Sequence, residues 1–340
     1  MSKKTKLWLF IAAALVVLGC IVFGSALAMA NWDFENLSTT DYADNTYTVT
    51  EAFHDISIEA FAQVKILPAT DGKVSVSCHE MEKCKHTVSV VDGTLTVTGT
   101  DQRRWQDYIG IHFGTPTVTV ALPNGDYGEA FIKTATGDVK VSKEVNLQSL
   151  EIKTTTGDVH ISCTVPHFIR VSVSTGDILV ENAAMKMMNL RTGTGDITVK
   201  DVQCQERLTV EITTGDIRMT DVAGYGIHME GSTGDLLLQD ISCDWLETKG
   251  TTGDATLKNV VTKTQITVGR STGDVKLEKC DSAGIDIATS TGDVTGTLLT
   301  RKKFYAKTKT GKVDVPLGGE TMGNCSVITS TGDIKIEIEE

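Results

Sequence analysis

Apolar residues sit at alternate places through much of the chain, as in Leu150 and Ile152, Ile169 and Val171, Leu208 and Val210, Ile285 and Ile287. Period two predicts a strand with one buried face. The alternation is broken at a fixed interval by a Thr-Gly pair. Its eleven glycines are Gly137, Gly157, Gly176, Gly195, Gly215, Gly234, Gly253, Gly273, Gly292, Gly311 and Gly332, spaced by 19 to 21 residues. A constant period near twenty marks a solenoid in which each repeat is one coil stacked on the last.

The residue before each glycine is Thr, and the residue after it is Asp in ten copies and Lys312 in the other. Val, Ile, Leu or Ala follows, as in Val159, Ile178 and Ile217. Each coil therefore reads as a strand, a corner, a second strand and a looser return. Thr156-Gly157-Asp158, Thr175-Gly176-Asp177 and Thr214-Gly215-Asp216 are taken as structural corners. Glycine supplies the unusual φ or close approach, and Asp accepts from nearby backbone N–H groups. The Thr shares the parity of the upstream apolar residues and is expected to face inward. The fold class is all-β: a single-stranded parallel β-solenoid (β-helix) of about eleven coils over residues 123–340, a rod of roughly 50 Å.

Residues 51–122 alternate without the motif, in "ISI", "KVSVS" and "TVTVALP", with Asp92-Gly93 as a hairpin signal. They are expected to form an N-terminal β section that starts the rod and covers its first coil. At the other end, the glutamates of "IKIEIEE" are expected to discourage end-to-end stacking.

The first thirty residues differ. Lys3, Lys4 and Lys6 (residues 1–6 cytoplasmic) precede an uncharged run at residues 7–30, long enough to span a bilayer. Ala28-Met29-Ala30 resembles a signal cleavage site, and Val17-Leu18-Gly19-Cys20 loosely a lipoprotein box. The run is longer than a usual signal core, so an uncleaved anchor is expected, with the bulk outside the membrane. Residues 31–50 read as a polar stalk.

The formal net charge is −12, or −15 once the +3 of those lysines is removed. An acidic chain argues against nucleic acid. Scarce aromatics, at 6%, and 31 glycines fit a turn-rich β protein rather than a large aromatic core. Seven cysteines lie outside the apolar run, an odd number, so at least one is unpaired in a monomer. Those within the repeats, such as Cys163 and Cys204, read as small buried hydrophobes.

With its apolar start, the "DISIEAFAQVKILPA" opening, the "VVDGTLTVTG" hairpin, "TVTVALP" and the serial "TSTGDV" repeats, the chain resembles adhesin-type β-strand-repeat domains of unknown function from Gram-positive envelope proteins, including LiaG-like proteins. The resemblance covers about residues 50–340. It implies a surface β-solenoid with adhesion or envelope-stress roles, and brings no catalytic residues. Lys312 and the "CHEMEKCKH" stretch depart from it.

Four features carry candidate chemistry. "CHEMEKCKH", expected in a loop, offers Cys78, His79, Cys84 and His86 as zinc ligands, although a Cys78–Cys84 disulfide suits the spacing better. The aspartate column, with Asp158, Asp177, Asp196, Asp216 and Asp235 at its centre, stacks like charges one strand apart. It needs backbone donors, protonation or cations such as calcium. Thr-x-Thr pairs such as Thr154/Thr156 resemble ice-binding ladders, but their parity places them inside. Arg103, Arg104, Trp105, Tyr108, His112 and Phe113 fit either a glycan or partner site or, preferably, a cap on the core.

The functional expectation is a membrane-anchored extracytoplasmic rod without catalysis or cofactor, with cell-wall glycan or a surface protein as partner. A polysaccharide-acting β-helix enzyme and an envelope-stress regulator are the alternatives. An enzyme needs a local acidic constellation, whereas these carboxylates are evenly spread.

Overall fold

The computed structural model describes residues 3–29, 32, 41–105, 114–317 and 322–339. Apart from one helix, α1 (Lys3–Met29), it is all β. The N-terminal strands are β1 (Tyr42–Val49), β2 (Asp55–Ala60), β3 (Gln63–Pro68), β4 (Val74–Met81), β5 (Cys84–Val91), β6 (Thr94–Asp101) and β7 (Thr117–Leu122). The repeats follow as β8 (Asp126–Thr136), β9 (Val139–Val141), β10 (Asn146–Thr156), β11 (Val159–Ile161) and β12 (Phe168–Thr175). Five long strands come next: β13 (Ile178–Thr194), β14 (Ile197–Thr214), β15 (Ile217–Thr233), β16 (Leu236–Thr252) and β17 (Ala255–Thr272). The chain ends with β18 (Val275–Cys280), β19 (Gly284–Thr291), β20 (Val294–Leu298), β21 (Lys303–Lys307), β22 (Val313–Asp314), β23 (Asn324–Ile328) and β24 (Ile334–Ile338).

The repeats stack in parallel register as a solenoid of about ten turns. Ile152, Val171, Leu190, Val210 and Met229 are successive partners along one ladder and all are buried. Each such side chain contributes about 1.5–3 kcal/mol on leaving water. Backbone groups pair with the coils above and below, so a twenty-residue repeat that could not fold alone becomes stable in the stack.

The corner differs from expectation in one respect. In the Thr-x-Thr pairs the first residue is buried, or half-buried at Thr308, and the second is exposed, as with Thr154 and Thr156. The Thr that precedes the glycine therefore does not face the core, and the pairs form no common outward face. Inward Thr192 instead donates its hydroxyl to the Gly176 carbonyl (3.0 Å), and Thr329 donates likewise to Gly292 (3.2 Å). A buried hydroxyl beside a corner finds an unused carbonyl lone pair there.

A second corner lies six residues past the glycine. Asn182, Asp201, Asp221, Asp240, Asn259 and Lys279 all have φ between 50° and 55°. Asn and Asp tolerate this left-handed conformation better than other non-glycine residues.

At both ends the spatial order departs from the chain order. The β6/β7 coil lies outside β2/β3, which pairs with β8/β9 on its other side. Antiparallel β5 then joins β6, while β4 joins β7 and β1 joins β4. Residues 42–49, expected within a stalk, are thus a strand of this closing layer. The Asp92-Gly93 hairpin forms as expected, with φ of 49° and 76°.

At the far end, β23 and β24 sit between β19/β20 and β21/β22. The glutamate-bearing β24 is therefore interior, and the outer coil carries Lys303, Lys307, Lys309 and Lys312, all exposed. The charges that guard this edge are lysines rather than the expected glutamates.

Candidate functional site

The aspartate column is a hydrogen-bond ladder. Asp158 donates its backbone N–H to Asp138 Oδ1 (2.9 Å), Asp177 to Asp158 (2.8 Å), Asp196 to Asp177 (2.7 Å), Asp216 to Asp196 (2.8 Å) and Asp235 to Asp216 (2.8 Å). The ladder continues through Asp254, Asp274, Asp293 and Asp333. Each carboxylate serves the next coil, which satisfies an N–H at the bend that no ladder carbonyl reaches. Arg218 adds positive charge between Asp196 Oδ2 (3.0 Å) and Asp216 Oδ2 (2.7 Å), and those two carboxylates raise its pKa.

Lys312 fits this scheme. Its own N–H donates to Asp333 Oδ1 (2.7 Å), but its coil is spatially last, so its side chain has no successor to serve.

The "CHEMEKCKH" stretch is not a loop but the end of β4, a turn at Glu82-Lys83, and the start of β5. Cys78 and Cys84 are both buried free thiols, so the expected disulfide is not formed. The reason is strand divergence: β4 joins β1 and β7, whereas β5 joins β6. His79 points outward, with Nδ1 at 2.7 Å from Asp44 and its ring stacked on Tyr42 at 4.9 Å. Thus two of the four expected ligands, His79 and Cys84, lie apart from the other two.

Alternation turns Cys78, Glu80 and His86 inward instead. One ligand atom from each lies within 4.8 Å of the other two, and all three residues are buried. It is the one such group among the described residues; the aspartate ladder does not converge in this way. Glu80 is fully buried and accepts from Asn45 Nδ2 (2.7 Å), the His86 backbone N–H (2.7 Å) and His86 Nδ1 (2.8 Å). Burial, then the Glu80 charge, pushes the Cys78 thiol up to about 12. His86 Nε2 has no hydrogen-bond partner. Sequence reasoning missed Glu80 because a lone glutamate is ordinarily solvated; its inward parity in β4 was the available signal.

Of the aromatic and basic cluster, Tyr108, His112 and Phe113 lie outside the described residues. Arg103 forms a two-pronged pair with Asp101 (2.9 and 2.7 Å), and Trp105 is exposed. On the solenoid flank, a polar groove of about 370 Å³ is lined by Arg191, Glu211, Glu230 and Lys249, together with the exposed Thr213 and Ser232. Behind it, Arg270 is buried beneath Gly250, where a Cβ would come within 1.5 Å of its Nη1. Desolvation lowers the Arg270 pKa, while Asp235 and Asp254 favour its charge.

Fold and corner chemistry together define a parallel β-solenoid repeat protein whose bends are closed by a Thr-Gly-Asp ladder. The chain belongs to the Toastrack DUF4097 family, whose model matches residues 53–222 and 166–337. Among solved structures, it is similar to a "putative adhesin" from Bacteroides fragilis at 14% identity and TM-score 0.35, covering 87% of this chain and 97% of that one. It is also similar to a "putative lipid binding protein" from Parabacteroides distasonis at 13% identity and TM-score 0.44, covering 88% and 98%. A "putative adhesin" from the same organism matches at 13% identity and TM-score 0.40, covering 88% and 98%. No curated protein matches the chain.

Proposed function

We propose that the chain is a single-pass, membrane-anchored rod displayed outside the membrane, where it contacts envelope glycan or a surface protein without catalysis. The observation that carries this reading is Thr5–Met29, a span of 25 residues whose most apolar 18-residue stretch has a mean hydropathy of 2.7 and packs against nothing in the protein. Lys3, Lys4 and Lys6 favour a cytoplasmic N-terminus. The non-catalytic part is supported by the corner ladder, whose carboxylates share one repeated structural task. The polar groove beside Arg191 and Lys249 offers a repeating polymer both charge and hydroxyls across several coils.

The test uses full-length protein in cells, followed by membrane fractionation, protease shaving and incubation with wall and capsule polysaccharides. The expected result is membrane retention, protease access from outside, and polymer retention without cleavage. Cleavage that is lost on an Asp→Asn change in one coil but not in its neighbours would overturn the binding reading. Recovery in the soluble cytoplasm would overturn the anchor.

A further inference from the structure

We propose that Cys78, Glu80 and His86 form a buried site for one thiophilic divalent cation, with zinc as its probe. Three chemically different ligands converge here from two strands, inside the layer that closes the N-terminal end of the rod. The proposal is independent of the rod's function.

Charge balance favours such an ion. A thiolate, a carboxylate and a neutral imidazole around a dication sum to zero, so the loaded site buries no net charge. Without the ion, the Glu80 carboxyl lies at 0% exposure against the Cys78 sulfur. A dication would draw both groups to itself. The thiolate selects against calcium and magnesium, which prefer oxygen donors. Closing the three atoms from within 4.8 Å onto one centre asks for a movement of about 1 Å.

The proton accounting closes as well. The Cys78 thiol proton leaves to solvent. The imidazole proton moves from Nδ1, now 2.8 Å from Glu80, to Nε2. Nε2 has no partner in the protein, so the shift leaves one buried N–H donor unsatisfied, a cost that the bonds to the ion must exceed. Asn45 Nδ2 and the His86 backbone N–H stay on Glu80 and orient it from outside the coordination sphere. Asn45 lies on β1, which follows the apolar helix in the chain, so the ion would clamp β1 and β5 through β4.

The experiment loads full-length protein, in detergent and under reducing conditions, with cobalt(II) after chelation. The expected result is one equivalent bound, a thiolate-to-cobalt charge-transfer band, intense visible bands of a tetrahedral site, and displacement by zinc with a rise in melting temperature. Cys78→Ser removes the charge-transfer band, whereas Cys84→Ser keeps it. Asn45→Leu, which leaves every ligand in place, weakens affinity about tenfold or more; this variant carries the test if Cys78→Ser fails to fold. Cobalt uptake no greater than a buffer control, an oxygen-only octahedral spectrum, or a charge-transfer band that persists in folded Cys78→Ser would overturn the site.

Discussion

At the scale of single residues, the glycine and the aspartate of the corner do different work, and the lysine in the aspartate place of the last coil closes nothing, so their sensitivities should differ. Gly215 has φ +136°, and a Cβ there would lie 2.1 Å from the Gly195 carbonyl oxygen. Only glycine meets both demands, so Gly215→Ala should cost on the order of 3 kcal/mol or more. Asp216→Ala leaves the Asp235 N–H without its acceptor and should cost about 1–2 kcal/mol. Lys312→Ala should change stability by no more than about 0.5 kcal/mol, because its coil is last and its side chain closes no bend. Urea unfolding of the three variants checks the order; equal losses at Asp216 and Lys312 would contradict the ladder.

Strands and corners, the next scale up, show what was legible from sequence. Period two gave the buried face of every ladder, and the Thr-Gly spacing gave the stacking register, because both are local patterns repeated many times. The inward threonine was misplaced because the chain turns before the glycine, so parity could not be carried through the bend from Ile152 and Thr154 to Thr156. The second corner was missed although Asn182, Asp201 and Asp221 recur at one offset, since Asn and Asp are common on any exposed turn. Glu80 was missed because a glutamate is ordinarily solvated and Asn45, which holds it, comes from a strand more than thirty residues away; its inward parity in β4 was the one local signal.

The cysteines of the repeats are core residues, as their places in the alternation suggest, and their burial has a measurable consequence. Desolvation raises the thiols of Cys163, Cys243 and Cys325 from 9.0 to about 12, and those of Cys204 and Cys280 to about 11. The folded state keeps these protons where the unfolded chain gives them up. Stability is therefore complete below about pH 9 and falls as pH rises from 9 toward 11 or 12, by up to about 1.4 kcal/mol per pH unit for each thiol. Melting temperatures measured from pH 8 to 11 should drop accordingly. A Cys163→Ala/Cys243→Ala variant should be less stable at pH 7 yet show a shallower alkaline slope.

Over the whole molecule, the order of coils decides how the rod ends. The outermost coil, β21 and β22, is bonded on one side only, to β23 and β24. Its four exposed lysines should keep that edge from pairing with another rod, so replacing all four by threonine should produce concentration-dependent end-to-end association, read by light scattering. The same topology makes truncation non-monotonic. Removing residues 324–340 takes out the coil that lies between β19/β20 and β21/β22, so residues 303–314 lose every ladder partner while their apolar face is exposed. Removing residues 301–340 deletes the outer coil as well and leaves β19 and β20 as a single clean edge. A chain ending at residue 300 should therefore melt at a higher temperature, and resist protease better, than the longer chain ending at residue 323. In a stack laid down in chain order, each added coil would raise stability and the longer chain would melt last. Finding that order would mean the final coil does not sit inside its predecessor.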